Sequence, residues 1–348
     1  MYEAKYFKYV LKFKKPSGTS RGIINEKPTW FLKILKKDNP DIFGIGECGP
    51  IKGLSIDPLN CMDNKLKEVV ENINQYKKID ISNFPSIKFG LETALKDFSN
   101  EGRRKIFDNN FIKGLKKIHI NGLIWMGDSI FIKNQIKEKL DLGFSCIKLK
   151  IGALNFKDEF SILKEIRDSF SKESLEIRVD ANGAFDTINA IFKLEQLSKL
   201  NIHSIEQPIA INQFEEMKQL CSKSPIPIAL DEELIKTRTI SEKKNLLSFI
   251  RPQYLILKPS LLGGFKQTQQ WIEIAKNHNI EWWITSALES NIGLNAIAQY
   301  CSEFDLKLPQ GLGTGNLYNN NIISPLTLDG ELLRYDVRKD WELNNLFD

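Results

Sequence analysis

Two lysines alternate with aliphatic residues in the stretch CIKLKIG, residues 146–152. Lys148 and Lys150 are two positions apart, so in a β-strand they point to the same side, and the aliphatic residues around them point to the other. On an exposed edge strand this pattern would need no explanation. In a strand covered on both faces, buried ammonium groups are costly unless they are paired or used in chemistry.

Four later strand-like segments also end on charged residues. EIRVDAN carries Asp180, HSIEQP carries Glu206, IPIALDE carries Asp231 with Glu232 beside it, and YLILKPS carries Lys258. The charged positions follow one another at intervals of roughly 25–30 residues, about one βα unit each. In a β/α barrel, the active site is built where the carboxyl ends of the strands converge. These side chains are therefore expected to meet in one small volume.

The three carboxylates predict a metal site. A single Asp after a parallel strand usually caps the next helix, but carboxylates on three consecutive strands repel one another unless a cation lies between them. Oxygen ligands select a hard cation such as Mg²⁺, and the three histidines, His119, His203 and His278, fit no site. We therefore expect Asp180, Glu206 and Asp231 to bind Mg²⁺, with Mn²⁺ as a possible substitute.

The lysines predict proton-transfer chemistry. Lys148 and Lys150 lie on the second strand and Lys258 on the sixth, so they flank the carboxylates from opposite sides of an eight-stranded ring. A lysine base must be neutral, and burial, a neighbouring ammonium and a nearby cation all favour the neutral form. The implied reaction is proton abstraction next to a carboxylate, whose developing enediolate charge the metal stabilises.

The elements that position these residues indicate an α/β protein of two domains. Seven short aliphatic strands alternate with amphipathic helical stretches from about residue 117, which favours a closed parallel barrel over an open sheet. The opening third reads as α+β. We predict an α+β domain at 1–115, a barrel at 116–310, and a segment at 311–348 that returns to the first domain. Parallel strands are covered on both faces, so the two lysines should point into the barrel.

Composition narrows the functional classes. The chain has 348 residues, 42% of them hydrophobic, and a formal net charge of +5, which is weak support for a nucleic-acid partner. Its five cysteines are an odd number without a CxxC pair, which argues against a disulfide framework and fits a reducing compartment. The charged N-terminal stretch has no apolar core of a signal peptide, and no apolar run approaches a membrane span. We expect a cytoplasmic enzyme acting on a small carboxylate; the oligomeric state stays open.

Several motifs resemble the muconate-lactonizing subgroup of the enolase superfamily, for which a Lys or His base beside Mg²⁺ is typical. The resemblance extends over nearly the whole chain and implies a modified (β/α)7β TIM-like barrel, with an N-terminal α+β capping domain completed by the C-terminal tail. The motifs are KLK at 148–150, VDAN at 179–182, EQP at 206–208, LDE at 230–232 and LKP at 257–259.

Other stretches resemble the o-succinylbenzoate synthase family of menaquinone synthesis: SGTSRG at 17–22, GIGECGPIKGLS at 44–55, NGLIWMG at 121–127 and TSALESNIGL at 285–294. This resemblance implies a Mg²⁺-dependent dehydration of 2-succinyl-6-hydroxy-2,4-cyclohexadiene-1-carboxylate to 2-succinylbenzoate. Lys150 would be the general acid/base and Lys258 would favour the anionic intermediate from across the ring. Supporting positions are Lys148, Asn182 and Glu232; substrate-contacting positions are Ser286, Glu289, Ser20 and Arg21.

Alternative functions stay open. The same scaffold and lysine pair would serve N-succinylamino acid racemisation. Dipeptide epimerases of the subgroup carry Asp-x-Asp on a late strand, where this chain has Ser286-Ala287-Leu288, which argues against a dipeptide. Gly44, Gly46 and Gly49 fit the dinucleotide-binding pattern G-x-G-x-x-G, but Pro50 follows at once, and we expect a turn there. Arg21 could equally be a surface residue, and a non-catalytic binding protein on a barrel scaffold is a distant alternative.

Overall fold

A computed structural model describes residues 1–19, 22–343 and 346. The N-terminal domain is a three-stranded antiparallel sheet with two α-helices against it. Its elements are β1 (Tyr2–Thr19), β2 (Gly22–Lys36), β3 (Asn39–Cys48), α1 (Met62–Glu71) and α2 (Pro85–Ser99), with 3-10 turns at Leu59–Cys61 and Ile73–Lys78. Apolar side chains of the sheet and both helices form its core.

Three glycines bring β3 and α2 into close contact. A Cβ atom on Gly44 would collide with the carbonyl oxygen of Ala94, and one on Gly46 with the carbonyl oxygen of Gly90. Residues 44–48 are therefore strand rather than the predicted turn, because helix packing, not chain reversal, requires the glycines. No helix begins directly after them, so the segment lacks the helix N-terminus that a dinucleotide site needs.

The second sheet has seven parallel strands in the order of the sequence. They are β5 (Gly122–Ile124), β6 (Cys146–Lys150), β7 (Glu176–Asp180), β8 (Ser204–Glu206), β9 (Ile228–Leu230), β10 (Tyr254–Leu257) and β11 (Glu281–Ile284). This confirms the predicted α/β barrel architecture. The first predicted strand is divided, because β4 (Ile118–His119) pairs with a separate hairpin of β12 (Leu326–Asp329) and β13 (Leu332–Tyr335).

Helices follow the barrel strands and cover their outer faces, and the apolar core lies between the two layers. They are α3 (Ser129–Asp141), α4 (Phe156–Ser169), α5 (Ala190–Ser198), α6 (Phe214–Lys223), α7 (Glu232–Ile235), α8 (Ile240–Ile250), α9 (Pro259–Leu262), α10 (Phe265–Asn277) and α11 (Asn291–Ser302). Among the described residues, no helix is both long enough and apolar enough to cross a membrane.

Two residues close the ring where an eighth strand would stand. Gln310 donates its backbone N–H to the carbonyl of His119 at 2.8 Å and accepts from the N–H of Asn121 at 3.0 Å. Gly311 donates to the carbonyl of Ile284 at 2.8 Å. The predicted domain boundary between residues 310 and 311 falls within this closing segment.

The chain then returns to the first sheet. The N–H of Lys14 donates to the carbonyl of Leu317 at 2.8 Å, and the N–H of Asn319 donates to the carbonyl of Lys12 at 2.9 Å. Between these bonds the rings of Phe13 and Tyr318 pack with centroids 4.7 Å apart. The C-terminal segment is thereby attached to β1.

Candidate active site

Both lysines of β6 point toward the barrel axis. Lys148 Nζ lies 2.9 Å from Asp180 Oδ2 and 2.5 Å from Glu206 Oε2. Lys150 Nζ lies 3.0 Å from Asp180 Oδ2 and donates to Asn182 Oδ1 at 2.7 Å. The sheet register explains this convergence, because Lys150 pairs with Asp180 and Asp180 with Glu206 on successive strands. The alternation in CIKLKIG therefore reflects an inward charged face and an outward apolar one.

Lys258, directly after β10, approaches from the other side of the barrel. Its ammonium contacts Asp231 and lies 3.6 Å from Glu206 Oε1. Lys148 and Lys258 thus flank Glu206, as the strand positions predict. Asp180 is fully buried, and Glu206 and Asp231 are each 2% exposed. Six charged groups from five consecutive strand ends share one nearly dry volume.

The carboxylates control the charge of the lysines. Burial alone would lower the pKa of Lys148, but Asp180 and Glu206 outweigh it and raise that pKa above its ordinary value. Burial likewise disfavours charged Lys258, yet Asp231 and Glu206 raise its pKa further. The expectation that burial, a neighbouring ammonium and a nearby cation favour a neutral lysine left out these carboxylates. In this arrangement the carboxylates favour the ammonium form of Lys148 and Lys258.

The residues offer an oxygen donor set for a hard cation. Asp180, Glu206 and Asp231 present only carboxylate oxygens, and buried Glu206 Oε1 has no hydrogen-bond donor. Within residues 1–19, 22–343 and 346, however, no three His, Cys, Asp or Glu side chains are already arranged as metal ligands. Lys148 and Lys258 form ion pairs with these carboxylates. The donor chemistry fits a divalent cation that competes with the two ammonium groups.

A cavity of about 100 Å³ opens at this cluster. Lys148, Lys150 and Lys258 line its charged floor, together with Asn182 and Glu232. Its walls are largely apolar and come from both domains and the C-terminal segment: Ile24, Ile51, Leu54, Leu123, Trp125, Ala287 and Leu288 among them. A charged floor beneath apolar walls suits a small ring compound that carries a carboxylate.

Asn182 and Glu232, predicted to support the catalytic set, lie beside it. Asn182 accepts from Lys150, and its Nδ2 donates to Glu232 Oε1 at 3.0 Å. The backbone N–H of Asn182 donates to Asp180 Oδ1 at 3.0 Å. Asn182 has a left-handed backbone (φ 44°), a conformation that asparagine tolerates better than most residues. The amide thus holds the Lys150 ammonium together with Asp180.

The predicted substrate-contacting residues divide into three groups. Ser286 lines the cavity, where its Oγ donates to the carbonyl of Gly311 at 3.0 Å and accepts from Thr314 Oγ1 at 2.9 Å. Glu289 lies behind the cavity wall, fully buried, and its carboxylate accepts from Ser260 and from the N–H of Ala287. Ser20 and Arg21 lie outside the described residues.

Sequence reasoning missed several cavity residues. Asn121, Leu123 and Trp125 line the cavity from the first barrel strand, and Lys52 and Thr314 line it from loops. The first three alternate by two positions, so the inward-facing rule applied to Lys148 and Lys150 would have found them. The loop residues carry no periodic signal.

A family model, a sequence relative and a solved structure all place this chain among similar proteins of one superfamily. The family model described as "Enolase C-terminal domain-like" matches residues 132–329. An o-succinylbenzoate synthase from Desulfotalea psychrophila is 45% identical over an alignment of 365 residues, covering 95% of this chain and 98% of the relative. The crystal structure of MenC from Desulfotalea psychrophila LSv54 superposes with a TM-score of 0.87 at 42% identity, covering 96% of this chain and 99% of that one.

A more distant relative is the N-succinylamino acid racemase of Thermus thermophilus. It is 29% identical over 159 residues, which cover 45% of this chain and 40% of the racemase. The similarity to the synthase is both higher and longer.

Proposed function

Because the chain belongs to the o-succinylbenzoate synthase family of the enolase superfamily, we propose that it dehydrates 2-succinyl-6-hydroxy-2,4-cyclohexadiene-1-carboxylate to 2-succinylbenzoate. The observation that carries this proposal is the placement of Lys150 and Lys258 on opposite sides of one cavity floor. A flat ring bound between them would present its acidic carbon to one lysine and its opposite face to the other.

Lys150 is the proposed base. Its Nζ, in the neutral form, takes the proton from the carbon that bears the carboxylate, and the electron pair of that C–H bond moves toward the carboxylate. The same nitrogen, now protonated, returns this proton to the departing hydroxyl. Water leaves, one C–O bond is broken, and the ring becomes aromatic. Asp180 and Asn182 hold the lysine in place throughout.

Lys258 is proposed to act by its charge. Its raised pKa keeps it an ammonium ion, so it stabilises negative charge on the substrate from the face opposite Lys150. Lys148 is assigned no proton transfer. Its role is to hold Asp180 and Glu206 in position. The apolar walls exclude water and strengthen these electrostatic interactions.

Members of the superfamily bind a divalent metal. We propose Mg²⁺ for this chain, held by Asp180, Glu206 and Asp231, with Mn²⁺ as a substitute. A cation bound there would supply Lewis-acid stabilisation of the substrate carboxylate as charge develops on it. The five free cysteines support the proposal that the protein works in a reducing compartment, the cytoplasm.

The test is formation of 2-succinylbenzoate from the cyclohexadiene substrate, with Mg²⁺ and then with EDTA. We expect metal-dependent turnover that falls by about 10³-fold or more in Lys150→Ala, since a general acid/base contributes roughly 10²–10⁴-fold. Lys193→Ala, which removes a lysine that packs on Phe185 outside the site, is the matched control and should keep its rate. Racemisation of N-succinylamino acids without dehydration would replace the proposed substrate by that of a racemase.

A further inference from the structure

The buried carboxylate of Glu47 lies outside the catalytic set and joins the two domains. Glu47, near the end of β3, is fully buried. Its Oε2 accepts from the backbone N–H of Ser290 at 2.9 Å, from Ser290 Oγ at 2.6 Å and from the N–H of Gly293 at 3.1 Å. These donors belong to the first turn of α11. A carboxylate of the capping sheet thus binds the N-terminus of a barrel helix.

The capping domain holds this carboxylate firmly. Thr29 Oγ1 donates to Glu47 Oε1 at 3.0 Å, and the buried ammonium of Lys27 lies 3.7 Å from the same oxygen. Glu47 is therefore oriented by its own sheet and not only by the helix that it caps. A carboxylate in this position satisfies free N–H groups and interacts favourably with the helix dipole.

Glu289, the residue before Ser290, is a second buried carboxylate that accepts hydrogen bonds at this place. Glu289 Oε1 accepts from Ser260 Oγ, and its Oε2 accepts from the N–H of Ala287 at 2.6 Å. Gly293 separates the two carboxylates: a Cβ atom there would lie 2.7 Å from Glu289 Cβ and 2.9 Å from Glu47 Oε2. Glu47 and Glu289 therefore both hold the segment 287–290 through hydrogen bonds.

That segment is a wall of the substrate cavity with strain in its backbone. Leu288 lines the cavity and has a left-handed backbone with φ 63°, which is unfavourable for a leucine. The hydroxyl of Tyr318 donates to its carbonyl at 2.7 Å. Such a conformation persists only where surrounding contacts enforce it. Here these contacts come from Tyr318, from Glu289 and, through Ser290, from Glu47.

We propose that Glu47 is a positioning residue through which the capping sheet fixes the cavity wall at residues 286–288. This inference rests on the proposed function, because the wall matters for the substrate that the cavity binds. Glu47 lies behind the wall and acts on substrate only through Ser290 and the strained turn before it. Its loss should loosen the wall while Lys150 and Lys258 keep their positions.

The experiment compares Glu47→Gln with a matched control, Asp97→Asn. Asp97 is also a fully buried carboxylate of the capping domain, and it contacts Ile45 and Arg104 of that same domain. For each variant we would measure backbone amide exchange by mass spectrometry and separate kcat from KM. We expect exchange at residues 286–293 to rise about tenfold in Glu47→Gln and not in the control. KM should rise about tenfold with little change in kcat, because uniform substrate binding is lost.

Unchanged exchange at residues 286–293 in Glu47→Gln, or an equal rise in Asp97→Asn, would overturn the proposal. If Glu47→Gln does not fold, Thr29→Val carries the same test, since it removes a donor to Glu47 within the capping sheet and leaves the N-cap of α11 in place. A wild-type protein that fails to dehydrate the substrate would refute the proposed function. The exchange comparison would still decide the role of Glu47.

Discussion

Lys148 and Glu206 are 58 positions apart in the chain, and Lys148 Nζ lies 2.5 Å from Glu206 Oε2. This contact joins a carboxylate that a divalent cation would need to an ammonium that already neutralises it. Both side chains are almost completely buried. Under the proposed metal assignment, a cation and Lys148 would compete for Glu206.

Metal binding should appear as thermal stabilisation. At a Mg²⁺ concentration of 100 times Kd, stability should increase by about 2.7 kcal/mol. We expect Asp231→Asn to lose most of the resulting rise in Tm. Glu159→Gln is the control, because the Glu159 carboxylate accepts only loop N–H groups outside the cluster. Equal Mg²⁺ shifts in wild type and Asp231→Asn, measured by scanning calorimetry, would remove Asp231 from the ligand set.

Replacing Lys148 should lower the stability of the metal-free protein and raise its affinity for Mg²⁺. Lys148→Met leaves Asp180 and Glu206 with less positive charge around them, and breaking such a buried pair costs roughly 3–5 kcal/mol. We expect a lower Tm without metal and a larger Tm rise with Mg²⁺ than in the wild type. Titration calorimetry would measure the affinity directly. Weaker Mg²⁺ binding in this variant would contradict the competition.

Asp57 should make stability fall as pH rises. Burial, partly offset by the hydrogen bonds from Ser86, raises the pKa of Asp57 from 3.8 to about 6. Its contribution is therefore fully present below pH 3.8 and is lost as the pH rises through 6. The difference corresponds to about 3 kcal/mol. Urea unfolding of wild type and Asp57→Asn between pH 4 and 7 should give a stability difference that changes across this window. A pH-independent difference would argue against the raised pKa.

The glycines of β3 should be needed for folding and not for a cofactor. Gly46→Ala forces a methyl group onto the backbone of Gly90, which cannot move aside, so we expect a loss of about 3 kcal/mol or more. Gly313→Ala is the control for stability, because its nearest neighbour would be 3.7 Å away. Chemical denaturation measures both. A rise in wild-type Tm on adding NAD⁺ would instead support the dinucleotide pattern.

Strand periodicity made the charged cluster predictable. Lys148 and Lys150 share a face because they are two residues apart, and parallel strands end at one edge, which places Asp180 and Glu206 beside them. What periodicity does not give is the pairing inside the cluster. Lys148 contacts Asp180 and Glu206, and this contact favours its ammonium form.

Contacts between distant parts of the chain could not be predicted. Glu47 and Ser290 are 243 positions apart, and neither lies in a pattern that points to the other. The barrel closes through Gln310 and Gly311, a segment too short to show strand alternation. The sequence gives no sign of the left-handed turn at Leu288, because leucine has no preference for that conformation.

The attachment of the C-terminal segment to β1 sets the order in which the molecule can become complete. During synthesis on the ribosome, β1 emerges about 300 residues before its partners at Leu317 and Asn319. The same late segment supplies the Tyr318 hydroxyl that holds the carbonyl of Leu288. A nascent chain that ends after Lys258 contains every charged residue of the cluster but still lacks the Tyr318 hydroxyl that holds Leu288. The cavity wall at Leu288 is therefore complete only after residues 317–319 have joined β1.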